Sequence, residues 1–496
     1  MHFRTMLRLQ PLAALVLLAA ALPALAPAAL AADPLEGVWT GHVLAPQGEA
    51  AAIGFDFERE RDGSLGFKLY FPAMFTHGAS LGIPVETTGT NDYAITPAFA
   101  ITLHREGDEL RGTFSAGKLP LELHRGGALP QPLPVGAHLA GPGPLWRYAL
   151  GCGTWAPPVA TDNVIYIGGG DGRFHAVNAG DGSALWTWTG AEPIDGRAAL
   201  DAESVYFLDV KFNLVALDRH RGTLRWRVPL HNEFLAGRSA PDNPTFNHRA
   251  ATPLLLDGVL YAGSSDGGVY ALDPATGKKL WRHDAGAPVY SGIGWHAPDT
   301  LTFGTMDGSI VLLDRSTRRE TLRVKTGGGV VTTPLIVGDR VIAGSRDYQL
   351  HAFNIADGSV AWKFSYWFSW IESTPALRDG LLYIGGSDYA RVTAIDPSTG
   401  RARWGTIVHG MDWGTPLLTE NAVFIGTVNQ NVPGTLINHT AGLIKLDRAT
   451  GAVLWQIVLP KADEGKFAGY AGSLTLAGDK VVGAGFDGFL CAYPAE

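Results

Sequence analysis

The stretch DGVLYAGSSDGGVYALDPATGKKLW, residues 257–281, decides the fold of this chain. It contains two short runs rich in Val, Tyr, Leu and Ala, and turn residues bound each of them. Such runs predict β-strands, and the Asp-Gly between them predicts a tight hairpin, because both residues tolerate positive φ angles. With ATPLLL before the stretch and KKLWRHD at its end, the segment predicts four antiparallel strands, here called a, b, c and d.

This pattern recurs along the chain. Strands equivalent to the one at Trp281 are found at Trp146, Trp186, Trp226, Leu322, Trp362, Trp404 and Trp455. A repeat of roughly 40 to 55 residues with four strands in each copy is typical of β-propeller blades. The first copy lacks strands a to c and the last lacks strand d, so residues 145–150 are predicted to complete the blade built from 470–496. We therefore expect an all-β fold with an eight-bladed propeller over 145–496, closed by its own N-terminal strand.

Two sets of residues recur in register and are predicted to be structural. The b–c turns carry Asp-Gly, which begins at Asp171, Asp266, Asp307 and Asp487. The c–d turns carry a glycine, at Gly182, Gly222, Gly277, Gly358, Gly400 and Gly451. Glycine suits such turns because it has no Cβ to oppose positive φ. The spacing of the Trp residues from Trp186 to Trp455 predicts that they pack between neighbouring blades.

The chain before residue 145 has a different organisation. Residues 1–32 combine Arg4 and Arg8 with an Ala/Leu-rich run and a small-residue end, which predicts a cleavable signal peptide and export to the periplasm. A membrane anchor is the alternative. Residues 33–126 show alternating strands without the repeat and predict a small antiparallel β-barrel or half-barrel. Its Gly37-Val38-Trp39 resembles the opening strand of lipocalin-like domains. Residues 127–144 are a Pro/Gly linker.

Composition limits the classes of function. The 496-residue chain has a formal charge of −8 and no basic cluster, so nucleic acid is not expected as a partner. No stretch after the first segment is long and apolar enough to span a bilayer. Cys152 and Cys491 are the only cysteines. Their places in the predicted blades set them too far apart for a disulfide, so free thiols are expected, with Cys491 buried. We expect a monomer.

The segment VYALDPATGKKLW, residues 269–281, closely resembles the PQQ-like repeat, and the resemblance covers about residues 145–496. That family includes eight-bladed quinoprotein dehydrogenases and outer-membrane assembly scaffolds of the BamB type. The dehydrogenase resemblance implies pyrroloquinoline quinone (PQQ), a Ca²⁺ or lanthanide ion held by Glu, Asn and Asp, an Asp base and often two adjacent cysteines. This chain has no adjacent cysteines and no long blade insertions. The scaffold resemblance implies a lipid anchor on cysteine, which is also missing.

The strand-a starts, which follow each d–a connection, are predicted to ring the top of the central funnel. Packing of the repeated blades requires only small or apolar residues at these positions. Several of the positions and their neighbours instead hold large aromatic or charged residues. We predict a ligand pocket from them, because ligand sites combine aromatic walls with a few polar groups. The predicted ligand-binding residues are Trp155, Arg197, His248, Arg249, Tyr290, Trp370, Trp413 and Tyr470. A planar or anionic ligand would stack on the Trp rings and pair with arginine, and PQQ qualifies.

Three carboxylates in the same ring allow two further interpretations. Glu372 and Asp412, on adjacent blades, could offer oxygen ligands to Ca²⁺, with Asp195 or Asp412 as a catalytic base. Alternatively, Glu372 and Asp412 pair with Arg249 and His248 in a solvated network. The leading hypothesis is a binding or scaffold propeller whose funnel takes a protein or small-molecule partner. The alternative is a PQQ- and Ca²⁺-dependent periplasmic dehydrogenase that oxidises an alcohol or sugar.

Overall fold

The fold was analysed in a computed structural model of the chain. The structure describes residues 33–74, 76–80, 83–96, 100–114, 118–132, 139–230, 251–367, 369–408, 410–430 and 440–496. The predicted signal peptide lies outside these residues, and so do residues 231–250 and 431–439. No helix in the described ranges is long and apolar enough to cross a membrane.

The N-terminal region forms one curled nine-stranded antiparallel sheet, which confirms the predicted half-barrel. Its order is β4-β3-β2-β1-β9-β8-β7-β6-β5, so the first strand pairs with the last. A short 3₁₀ helix at Pro72–Met74 separates β3 from β4. The strands are β1 (Gly37–Leu44), β2 (Ala50–Arg59), β3 (Leu65–Phe71), β4 (Thr76–Ser80), β5 (Glu86–Thr87), β6 (Asp92–Ile95), β7 (Ile101–Glu106), β8 (Glu109–Phe114) and β9 (Leu119–Arg125).

Alternating side chains explain why this sheet curls around a core. Along β9, Leu119, Leu121 and Leu123 are buried while the residues between them face solvent. Trp39 on β1 is fully buried, its indole N–H donates to the carbonyl of Leu35 at 2.7 Å, and the guanidinium of Arg125 lies 4.4 Å from its ring centroid. The likeness of this strand to lipocalin-like domains stays a prediction.

The remaining strands form eight four-stranded blades around one axis, as predicted; blade 7 carries one additional strand. Strand β10 (Trp146–Ala149) precedes the first complete blade. Blades 1 to 4 contain β11 (Val159–Thr161), β12 (Val164–Gly168), β13 (Arg173–Asn178), β14 (Ala184–Thr189), β15 (Ala199–Leu200), β16 (Ser204–Leu208), β17 (Asn213–Asp218), β18 (Leu224–Pro229), β19 (Leu254–Leu256), β20 (Val259–Gly263), β21 (Gly268–Leu272), β22 (Lys279–Asp284), β23 (Gly294–His296), β24 (Thr300–Gly304), β25 (Ser309–Asp314) and β26 (Arg319–Lys325).

Blades 5 to 8 complete the ring. They contain β27 (Leu335–Val337), β28 (Arg340–Gly344), β29 (Gln349–Asn354), β30 (Val360–Ser365), β31 (Ala376–Arg378), β32 (Leu381–Ile384), β33 (Arg391–Asp396), β34 (Arg401–Ile407), β35 (Leu417–Leu418), β36 (Ala422–Gln430), β37 (Gly442–Asp447), β38 (Val453–Val458), β39 (Phe467–Gly469), β40 (Thr475–Ala477), β41 (Lys480–Ala484) and β42 (Phe489–Pro494). Strand β39 is the additional strand, and it pairs with the end of β36 in blade 7.

The ring closes as the sequence predicts. Strand β10 is the outer strand of blade 8 and pairs antiparallel with β42, with Trp146 opposite Ala492. The N- and C-terminal parts of the propeller therefore share one sheet. Cys152 and Cys491 are both free thiols, as predicted, and Cys491 is buried.

Contacts between the outer strands and the c–d turns explain the recurrence of Trp and Gly. The indole of Trp186 donates to the carbonyl of Arg219 in the next blade at 3.0 Å, and its ring covers Gly222. A Cβ on Gly222 would lie 2.4 Å from that ring, and its φ is +69°. Glycine is required here both by the backbone conformation and by the ring above it. The same pair recurs at Trp146 with Gly182 and at Trp404 with Gly451.

The N-terminal sheet packs against blades 5 and 6. The rings of Phe71 and Trp367 lie 5.7 Å apart at 77°, and both belong to one continuous apolar core. Polar contacts surround that core. Gln47 accepts from the amide of Ser365 and donates to its carbonyl, at 3.0 and 3.2 Å, while Glu49 forms an ion pair with Arg391 at 2.9 Å. This contact reaches the b–c turn of blade 6, which lies at the top of the funnel.

Candidate functional site

The top of the propeller is the end where the b–c turns and the d–a connections meet. A cavity of about 350 Å³ lies there on the central axis. Six of the predicted site residues line it together: Trp155, Asp195, Arg197, Tyr290, Glu372 and Trp413. They come from five of the eight blades, with Asp195 and Arg197 both preceding blade 2, because each blade contributes the start of its strand a to the ring.

One wall of this cavity is formed by Trp155 and Trp413, which belong to a larger aromatic cluster. The rings of Trp155 and Trp413 stack at a centroid distance of 5.2 Å, and the ring of Phe486 meets Trp155 edge-on at 4.9 Å. Phe467 lies 5.6 Å from Trp155 and 5.8 Å from Trp413. Phe467 reaches this place because β39 extends blade 7 upward beside β36. The wall therefore offers flat apolar surface to a planar group.

Three charged residues line the cavity: Asp195 and Arg197 lie on one side of the ring, and Glu372 lies on the opposite side. Arg197 precedes blade 2 and Glu372 precedes blade 6, and blades four positions apart in a ring of eight face each other. Glu372 is buried and forms an ion pair with Arg346 at 2.7 Å. Arg197 forms no hydrogen bond or ion pair within the described part of the chain, and burial lowers the pKa of its guanidinium. An anion would therefore find a partly desolvated cation at this side.

The other predicted residues lie elsewhere. Trp370 lines an adjoining cavity, and Asp412 is buried, with its carboxylate against Gly385. Tyr470 is buried and forms a hydrogen bond with the hydroxyl of Tyr493 at 2.8 Å, beside a separate cavity between the last blade and the linker. His248 and Arg249 lie outside the described residues.

Two charged residues near the cavity were missed by the sequence reasoning. Arg346 and Asp388 lie in the b–c turns of blades 5 and 6, each two positions before a residue with positive φ. Arg346 holds Glu372, and its guanidinium carbon lies 4.7 Å from the ring centroid of Trp370. The sequence carries a signal for them, because this turn position varies between blades just as the strand-a starts do.

The donor set does not fit the calcium ion that the dehydrogenase resemblance implies. The carboxylate of Glu372 is already paired with the partly buried guanidinium of Arg346, which would repel a divalent cation at the same oxygen atoms. Asp412 packs against Gly385 and does not line the central cavity with Glu372. Within the described ranges, no group of three or more His, Cys, Asp or Glu residues is placed to hold a metal.

The fold and the axial cavity define the class: a closed eight-bladed β-propeller with a PQQ-like repeat and a polar and aromatic cavity at one end. The sequence identifies the family within that class. A profile described as outer membrane protein assembly factor BamB matches residues 141–270, 265–367 and 367–495, and the chain belongs to this family.

Individual relatives fall into two groups. The outer membrane protein assembly factor BamB of Yersinia pestis is 25% identical over 265 residues, which are 49% of this chain and 63% of that protein. The quinoprotein alcohol dehydrogenase PedH of Pseudomonas putida is 30% identical over 132 residues, 23% of this chain and 22% of that enzyme. Neither match reaches two thirds of the relative's length. The structure of quinohemoprotein alcohol dehydrogenase ADHIIG from Pseudomonas putida HK5 superposes with a TM-score of 0.53 at 14% identity, covering 71% of this chain and 76% of that one. This likeness shows the fold alone.

Proposed function

We propose that this protein is an exported scaffold propeller that binds a partner protein at the top of its funnel. Family membership over the whole propeller supports this, because relatives in the family are outer membrane protein assembly factors. The N-terminal segment with its signal-peptide pattern supports a periplasmic location. We expect the protein to act as a monomer, since the ring closes within one chain.

We further propose that the axial cavity holds an anionic, planar group, either an acidic and aromatic segment of the partner or a small acid. The observation that carries this is Arg197. Its guanidinium lines the cavity opposite Glu372 and has no ionic partner in the described part of the chain. The stacked rings of Trp155 and Trp413 supply the flat surface beside it. A carboxylate pairs well with the forked guanidinium, so charge and shape favour the same ligand class.

A titration with PQQ separates this function from the dehydrogenase alternative. PQQ is a planar tricarboxylate, and its binding is followed by quenching of tryptophan fluorescence with and without Ca²⁺. The proposal predicts calcium-independent quenching that weakens at least about tenfold in Arg197→Gln. The matched control is Arg221→Gln, an exposed arginine at the opposite end of the same blade. Quenching that needs Ca²⁺ and disappears in Glu372→Gln would instead establish the quinoprotein function.

Site-directed photo-cross-linking in the native host tests the scaffold role. A photoreactive amino acid replaces Thr252, which lines the cavity, or Thr399, which lies in a c–d turn at the bottom. We expect a discrete adduct with another envelope protein from position 252 and none from position 399. Adducts from position 399 alone would place the partner at the bottom and contradict the proposed docking end.

A further inference from the structure

A second cavity of about 290 Å³ adjoins the axial one at blades 5 to 7. The two cavities share Glu372 and Trp413, which stand between them. Four of the nine residues that line the second cavity are aromatic, and Asp388 contributes a carboxylate. Its walls include Trp413 and Phe467, whose rings lie 5.8 Å apart at 70° and so form a corner.

Tyr348 enters the second cavity from a strained backbone position. It occupies the b–c turn position that holds glycine in blades 1, 3, 4 and 8 and Phe212 in blade 2, and it keeps the left-handed conformation, with φ of +70°. The glycines at that position, Gly172, Gly267, Gly308 and Gly488, have φ between +79° and +86°. A bulky residue there is strained, and such strain persists where the side chain has a task. In this turn, the ring of Tyr348 lines the second cavity.

The charge of the cavity is negative. Glu372 is neutralised by Arg346, which lies over Trp370. Asp388 forms no ion pair with any Lys, Arg or His of the described chain, and burial raises the pKa of its carboxyl to about 6. An ionised carboxylate in a cavity with aromatic walls lacks the cation that would stabilise it.

We propose that the second cavity binds an alkylammonium group, with Asp388 as its counter-ion and Tyr348, Trp413 and Phe467 as the aromatic walls. Aromatic faces attract organic cations, and a desolvated carboxylate adds a direct ionic contact. A quaternary ammonium and a primary amine such as a lysine side chain share this chemistry. The site does not depend on the anion site, since Arg197 lies across the axial cavity.

The test uses tetramethylammonium and n-butylammonium chloride as probes, with sodium chloride at equal ionic strength as the reference. Tryptophan fluorescence of the mature protein is recorded in phosphate buffer, because Tris is itself an ammonium. We expect saturable binding below about 100 mM. Binding should weaken at least about tenfold in Asp388→Asn and several-fold in Tyr348→Gly, which restores the glycine of the other blades.

Two controls make the result specific. Asp108→Asn removes one exposed carboxylate from the N-terminal sheet and should leave binding unchanged. Arg197→Gln should also leave it unchanged, so failure of the anion site and failure of this one are distinguishable. Tighter binding of tetramethylammonium assigns the site to quaternary groups, and tighter binding of n-butylammonium assigns it to primary amines. No saturable signal, or equal binding by wild type and Asp388→Asn, would overturn the proposal.

Discussion

Replacement of Asp388 by Asn is predicted to stabilise the protein at neutral pH while it removes ammonium binding. Burial raises the pKa of this carboxyl from 3.8 to about 6, and the charge of Glu372 adds to the shift, while a hydrogen bond with Ser387 opposes it. The charged form of Asp388 is therefore less stable in the folded protein than in the unfolded chain. Asparagine carries no charge and avoids this penalty.

The magnitude and its pH dependence follow from the shift. Two pKa units correspond to about 3 kcal/mol of unfolding free energy. Because the folded-state pKa is the higher one, the penalty is absent below about pH 4 and complete above about pH 6. Asp388→Asn should therefore raise the melting temperature by about 5 °C at pH 8 and leave it nearly unchanged at pH 4. Among the neighbouring groups, Glu372 forms an ion pair with Arg346.

Differential scanning calorimetry measures the melting temperatures of the wild type and of Asp388→Asn, in acetate buffer at pH 4 and in phosphate buffer at pH 8. Asp108→Asn is the charge-matched control, since the Asp108 side chain is 81% exposed and its removal should change the melting temperature little at either pH. A fall of the melting temperature in Asp388→Asn by the same amount at both pH values would refute the reasoning. That result would mean that Asp388 serves as a hydrogen-bond acceptor and not as a strained charge.

Three further predictions concern the framework around the site. Gly182→Ala should destabilise the protein by several kcal/mol more than Gly258→Ala, because both have positive φ but only a Cβ on Gly182 would meet an indole ring, 2.7 Å from that of Trp146; urea unfolding measures the difference. Glu49→Gln should increase proteolysis between the N-terminal sheet and the propeller, because it removes the ion pair with Arg391; limited trypsin digestion followed by gel electrophoresis measures it. Burial lowers the pKa of His175 to about 4, so the wild type should lose up to about 3 kcal/mol as pH falls from 6.5 to 4, and His175→Gln should lose less; urea unfolding at both pH values measures this.

The propeller was predictable because its determinants are local and repeated. Each c–d glycine is required by the Trp of the preceding blade, so the pair Trp186 and Gly222 recurs wherever a blade contacts the next. The N-terminal sheet has no such repetition. Strands β4, β5 and β6 were not predicted; β5 has only two residues, and β6 has only four, so the alternation of Tyr93 and Ile95 is too short to indicate a strand. Pairing with neighbouring strands, and not their own composition, makes them strands.

The site was predictable only in part because the sequence gives the position of a residue more readily than the direction of its side chain. Trp155, Arg197 and Glu372 follow d–a connections and line the axial cavity. Tyr470 also follows such a connection, but its hydroxyl bonds Tyr493 within blade 8. A shift of one residue along a strand moves a side chain to the opposite face. Because the starts of the strands are irregular, the sequence does not show on which face each side chain lies.

The architecture gives a reason why the N-terminal sheet and the funnel occur in one chain. The sheet contacts the b–c turn of blade 6 through Glu49 and Arg391, and the ring of Tyr389 in that turn lies 6.5 Å from Trp367, which packs on Phe71 of the sheet. Asp388 is the residue next to Tyr389. A turn that carries a partly desolvated charge needs support from packed neighbours, since otherwise it would relax toward water. The N-terminal sheet supplies that packing at one side of the ring, so removing it should weaken ammonium binding at Asp388 and leave the anion site at Arg197, which precedes blade 2 on the far side, intact.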